Sequence, residues 1–156
     1  MRTAMLIVAL AIVVIYVATA MLTVDRQSDQ AQIDTLIAQG VTATQNRNLS
    51  DLVSCVSRDY KDDSGLNYDR LRVVLAQAFK SETNYTVTTS KQTTDMDGDK
   101  ATVTLHVILK NPGGVFYDRD LTILLAKEDA RHMLIVPTKA WRVVGSKNLG
   151  FGGDGV

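Results

Sequence analysis

Few side chains in this sequence have the chemistry to act as acid, base or nucleophile, and their spacing does not unite them. The candidates are two histidines, His106 and His132, one cysteine, Cys55, and the adjacent pair Asp59 and Tyr60. An imidazole titrates near neutral pH and can serve as a general base. Around His106, however, Ala101, Val103, Leu105, Val107 and Leu109 alternate with Thr102, Thr104, His106, Ile108 and Lys110. A strand sends alternate residues to opposite faces, so the uniformly apolar set is expected inside and His106 outside. His132 follows the charged stretch Glu128–Arg131 and is expected at the surface. Asp59 is crowded by Arg58, Lys61, Asp62 and Asp63, the composition of a solvated turn. Cys55 has no partner for an intrachain disulfide, and between Leu52 and Val56 on a helix it reads as a buried, inert thiol.

The motif inventory adds nothing catalytic. The chain contains no G-x-S-x-G, no phosphate-binding Walker loop, no H-E-x-x-H and no cysteines at metal spacing. Gly150-Phe151-Gly152-Gly153 lacks the following helix that a phosphate site uses. Neither a metal nor a cofactor is expected.

The elements that would position these residues are clearer. Ile33, Leu36, Ile37 and Val41 form one helical stripe, and Gly40 within it suits a close helix crossing. Asn46-Arg47-Asn48 breaks that helix, and Asn48 can cap a second one bearing Leu49, Leu52, Val53 and Val56. Asp62-Asp63-Ser64-Gly65 is a turn, after which Ser64 or Asn67 can cap a third helix with the stripe Leu71, Val74, Leu75, Ala78 and Phe79. From Tyr85 the period changes to two. Strands are expected at Tyr85–Thr94, Ala101–Lys110 and Val115–Lys127, with turns at Asp97-Gly98 and Asn111–Gly114. Glu128–Arg131 is expected to turn the chain. A last strand then runs from His132 to Lys147, interrupted near Pro137, which cannot donate to a ladder. From Gly150 the glycine-rich end has nothing to pack, so residues 149–156 are expected to be a disordered tail.

Charge and hydropathy bound the setting. Lys plus Arg and Asp plus Glu are 17 each, and no basic stripe is present, which argues against nucleic acid as a partner. Thr3–Val24 contains no charged residue and is long enough for a membrane-spanning helix. Ala18-Thr19-Ala20 would suit signal-peptide cleavage, but the apolar run continues through Met21, Leu22 and Val24, which favours a retained anchor. With Arg2 as the only preceding charge, the anchor is expected to leave its N-terminus inside and residues 25–148 outside the cytoplasm.

Helices followed by a meander of antiparallel strands imply an α+β domain: three helices on one face of a curved, four-stranded or larger sheet. Asn48-Leu49-Ser50-Asp51-Leu52, Ser57-Arg58-Asp59-Tyr60, Gly65, the helix Tyr68–Phe79, Asp97–Val103 and Trp141-Arg142-Val143-Val144 carry a resemblance to the nuclear transport factor 2-like superfamily. That cone-shaped fold is shared with ketosteroid isomerases and scytalone dehydratase, and the resemblance covers nearly all of Ser28–Asn148. The sequence departs from the pattern at His132–Lys139, where the family has a tight turn before the tryptophan.

The resemblance implies a pocket between helices and sheet, with Tyr60, Tyr68, Phe79 and Trp141 as candidates to line it and Asp59 or His106 as the only candidates for catalysis; these aromatics and Tyr117 read as core or pocket wall rather than cofactor contacts. Because the superfamily holds enzymes, binders and assembly modules alike, function must come from the site. The reading is a membrane-tethered, non-catalytic domain for a small apolar ligand or an envelope protein partner, with a homodimer through the sheet face as a further expectation. The implied analogy is to single-helix-anchored periplasmic domains of secretion and lipid-transport complexes. The alternative is a small isomerase- or dehydratase-like enzyme using the same pocket.

Overall fold

A computed structural model describes residues 12–19, 28–132 and 136–150, with side chains described outside 131–137. Residues 12–19 are helical (α1) and expose Ile12, Val13, Val14, Ile15 and Tyr16. Among the described residues no helix is long and apolar enough to cross a membrane. The remainder of the expected anchor, Thr3–Val24, lies outside the described residues.

Each helix of the domain begins where a polar side chain can accept a hydrogen bond from the unpaired N–H groups of the first turn. Ser28 caps α2 (Asp29–Gln45) by accepting from Ala31 N, Asn48 caps α3 (Leu49–Ser54) through Asp51 N, and Asn67 caps α4 (Tyr68–Ser81) through Arg70 N. Between α2 and α3 Arg47 takes a left-handed φ of 54°, which turns the chain sharply enough to lay α3 back on α2. Gly40 faces that contact without being required by it. A Cβ built there would sit 4.0 Å from Leu52 Cδ1, so the close crossing expected at this glycine is an ordinary one.

The strands form one antiparallel meander in the order β1-β2-β3-β4. They are β1 (Thr86–Asp97), β2 (Lys100–Asn111), β3 (Gly114–His132) and β4 (Val136–Lys147). Gly98, with φ 59°, makes the tight β1–β2 turn. The expected alternation holds along β2, where Ala101, Val103, Leu105 and Val107 are buried against the helices and their neighbours are not. Register shifts at Ser90/Thr93, Leu109/Lys110 and Leu124/Leu125 bend the ladder.

The chain does not turn at Glu128–Arg131. Those residues continue β3 and pair with Ala140, Lys139, Thr138 and Pro137, so the reversal falls between His132 and Val136. Local charge suggested a turn, but cross-strand pairing overrides local preference, and beyond Lys127 β3 has β4 alone as a partner. Pro137 lies in this outer pair, where a missing donor matters least.

The interior has two unequal halves. Near the start of α2, Ile33, Val103, Leu125 and Trp141 are at most 3% exposed and pack on one another. An ionic group closes that end. Lys127 Nζ lies 2.9 Å from Asp29 Oδ2 and 3.6 Å from Asp99 Oδ1, Lys139 bonds the other oxygen of Asp99, and Trp141 Nε1 donates to Asp29 at 3.3 Å. The hydrogen bond from Lys127 holds the Asp29 carboxyl below its ordinary range, and that from Lys139 does the same for Asp99. At the other end α4 leans on α3 rather than on the sheet. The space beneath it is not filled.

Candidate functional site

That space is a cavity of about 460 Å³, within the range of roughly 300–1,000 Å³ that small-molecule sites occupy. Three walls enclose it. The second half of α2 supplies Leu36, Ile37, Val41 and Thr44, and the short α3 and its exit supply Leu52, Cys55, Val56 and Tyr60. Helix α4 supplies Leu71, Leu75, Ala78 and Phe79 from across the gap. The sheet forms the floor through inward residues of all four strands, among them Thr89, Leu105, Val107, Tyr117, Ile123 and Val143. Among the described lining residues only Thr89 and Phe116 are exposed, which puts the opening at the β1 and β3 side. Tyr85 stands beside it, its ring 6.0 Å edge-on from that of Phe116.

The segment after α3 is placed by the outer edge of the sheet. Ser57 N donates to Val143 O at 2.9 Å, Val143 N to Cys55 O at 3.0 Å, and Lys61 N to Val144 O at 3.1 Å. The close approach needs a residue without a side chain on β4: a Cβ on Gly145 would lie 2.7 Å from the Lys61 carbonyl oxygen. Held this way, the Tyr60 ring is 2% exposed and its hydroxyl lies 2.7 Å from Ser146 Oγ. Burial pushes the Tyr60 phenol above its ordinary value, against the smaller opposing effect of the Ser146 hydrogen bond. Tyr85 and Tyr117 are raised in the same way by burial. Three other polar wall groups are engaged by backbone carbonyls. Tyr85 OH donates to Thr44 O at 2.7 Å, Tyr117 OH to Leu149 O at 3.2 Å, and Thr44 Oγ1 to Gly40 O at 2.8 Å. Cys55 Sγ faces Asp51 O at 3.5 Å, and burial raises its thiol, so the thiolate is disfavoured.

Of the four aromatic residues expected in the wall, Tyr60 and Phe79 are there. Tyr68 and Trp141 are not. Tyr68 is buried beside Leu71 with the Arg58 guanidinium 4.4 Å over its ring, and Trp141 belongs to the packed half, with Lys127 at 5.2 Å over its ring. Asp59 is exposed, its N–H held by Ser57 Oγ at 3.0 Å, and it forms no part of the cavity. His106 lies on the outer face of the sheet, Nδ1 2.7 Å from Asp120 and Nε2 3.1 Å from Asp118, so it does not approach the cavity either. The His132 side chain falls outside the described residues, and among those described no group of histidine, cysteine and acidic residues could hold a metal ion. Leu149, expected to begin a tail with nothing to pack, is half-buried against the Tyr60 cluster. Residues 151–156 lie outside the described residues.

Sequence reasoning did not find Ser146 or Glu82. Ser146 sits between Gly145 and Lys147 and looks like a strand end. Only its position three residues beyond Val143, across a bulge, could have placed it on the inner face. Glu82 is the one carboxylate of the wall, at the end of α4, where Asn111 Nδ2 donates to it at 3.3 Å.

No family profile and no curated protein matches the chain. Solved structures do. One, from Nostoc punctiforme, is a protein of unknown function with a cystatin-like fold, at a TM-score of 0.60 and 12% identity, over 76% of this chain and 87% of that one. A function-unknown protein from Mycobacterium tuberculosis gives 0.61 and 16% over 82% of each. A nuclear transport factor 2-like protein of unknown function from Pseudomonas putida gives 0.58 and 10% over 74% and 82%. At these identities the likeness shows the fold alone. The chain has an α+β fold with a four-stranded antiparallel sheet, like the folds of these cystatin-like and nuclear transport factor 2-like proteins.

Proposed function

We propose that the domain binds a small apolar molecule in this cavity and carries or presents it without chemical change. The observation that supports this most directly is the wall itself: mostly aliphatic and aromatic, with no lysine, arginine or histidine among its described residues. Acid–base turnover needs a proton-moving group within hydrogen-bond reach of the bound molecule. The residues expected for that role, Asp59 and His106, stand elsewhere, and Glu82 is engaged by Asn111. An isomerase- or dehydratase-like reaction therefore has less support than binding. The outer sheet face, where Thr102, Thr104 and the Asp118–His106–Asp120 group lie, is polar and lends little to the expected sheet-face dimer.

Blocking the cavity tests the proposal. Ala78 is a small, half-buried wall residue on α4, the helix that stands off the sheet, so a larger side chain there can enter the void without overpacking the core. Ala78→Trp should leave the melting temperature within a few degrees and reduce uptake of the neutral fluorescent probe N-phenyl-1-naphthylamine by tenfold or more. Unchanged uptake would remove the cavity from the function.

The same proposal includes the tether. The apolar run Thr3–Val24 supports a single-pass anchor with the domain outside the cytoplasm. Intact mass of the protein from a membrane fraction should show Thr3–Val24 still attached. A mature chain starting at Met21 would end this part of the reading.

A further inference from the structure

Resting on the reading of the cavity as a ligand site, we propose that its ligand is an uncharged apolar molecule bearing one hydrogen-bond-accepting oxygen, a ketone, ester or ether, seated against the Tyr60–Ser146 pair. The first argument is a count of hydrogens. Two hydroxyl groups 2.7 Å apart share one hydrogen between them, and whichever donates, the other oxygen keeps a hydrogen of its own. Among the described residues that second hydrogen has no acceptor, although Tyr60 and Ser146 are 2% and 4% exposed. Buried donors are almost always satisfied, and both residues form part of the cavity wall. The phenols of Tyr85 and Tyr117 and the Thr44 hydroxyl already spend their hydrogens on backbone carbonyls. Away from the exposed rim, the Tyr60–Ser146 pair is thus where the wall offers a hydroxyl hydrogen to a guest.

The second argument concerns charge. A carboxylate or phosphate taken into an apolar cavity needs a cation or several donors to offset its desolvation. The described lining has no cation, and its one charged group, Glu82, is of the same sign as such a head group. Fatty acids and phosphorylated lipids are therefore disfavoured. A neutral oxygen acceptor satisfies the spare hydrogen at no such cost.

The test uses full-length protein, with the Ala78→Trp protein as the blank for probe taken up elsewhere. Decan-2-one and decanoate compete at neutral pH against N-phenyl-1-naphthylamine. The ketone should displace the probe at a concentration at least tenfold below that of the acid. The spare hydroxyl hydrogen is carried by Tyr60 or Ser146, whichever does not donate to the other. The double variant, Tyr60→Phe with Ser146→Ala, removes it and should weaken the ketone about fivefold relative to the probe, the size of one neutral hydrogen bond. Taking away both partners together leaves no orphaned polar atom, so the double variant is expected to fold. Decanoate binding as well as the ketone, or wild-type ketone affinity in the double variant, overturns the proposal while leaving the cavity a ligand site. If wild type takes up no more probe or ketone than the blocked protein, the cavity reading fails as well.

Discussion

Leu125→Ala should lower the stability of the domain by about 2–5 kcal/mol, and Leu75→Ala by only about 1 kcal/mol, although the same atoms are deleted. Leu125 is 1% exposed in the packed half, among Ile33, Val103 and Trp141. Removing its side chain opens a hole that surrounding close-packed residues cannot follow. Leu75 is half-buried and already borders empty space, so its loss widens a cavity that exists. A loss of the upper size would be a large part of a small domain's stability. Urea unfolding of both variants measures the difference, with unchanged slope as the sign that the states compared are the same. Equal losses would mean that the space under α4 is closed in solution.

That contrast also marks where the sequence stops being legible. The period-two pattern from Ala101 to Leu109 identified the inward face of β2, Asn48 marked the start of α3, and Ser64 or Asn67 bracketed the start of α4, which Asn67 caps. These are local signals, readable because backbone geometry sets them. The stripe Leu71, Leu75, Ala78, Phe79 was equally legible as an apolar face, and it invited a core assignment. Periodicity says which way a helix faces but not how far away its partner stands. Only the docking of α4 on α3 separates Leu71, 5% exposed, from the half-buried Leu75 and Phe79. The same limit left Tyr68 and Trp141 between core and pocket wall: both are apolar and inward, and they pack in core clusters the cavity does not reach. Glu128–Arg131 failed for the opposite reason, since a strand held by one neighbour can be as polar as a turn.

Gly145→Ala should cost about 1–3 kcal/mol and weaken probe uptake together. The added Cβ would lie 2.7 Å from a backbone oxygen, Lys61 O, which has no rotamer by which to move aside. The 55–61 segment must shift from the sheet edge, straining the hydrogen bonds of Ser57 and Lys61 to β4. Tyr60 lies within that segment, so its contact with Ser146 shifts too. Gly40→Ala is the matched control. Its Cβ meets only Leu52 Cδ1 at 4.0 Å, and alanine within a helix is favoured over glycine by about 0.5–1 kcal/mol. Thermal melting of the two variants should therefore diverge in sign, and probe titration should show the loss for Gly145→Ala. A Gly145→Ala protein that melts and binds like wild type would show that the segment is not held by this contact.

The ionic group around Asp29 gives the domain a stiff end and a soft one. Tension arriving through Ser28 meets the Asp29–Lys127–Asp99–Lys139 chain and the Trp141 indole before it meets anything else. The cavity begins only at Leu36, about 10 Å further along α2 at 1.5 Å per residue. Through Lys127, Lys139 and Trp141 the start of α2 is tied to β3 and β4. The hollow end, bounded by α4 and the Tyr85–Phe116 contact, has no such ionic tie among the described residues, so the two ends of one interior are held by different kinds of interaction.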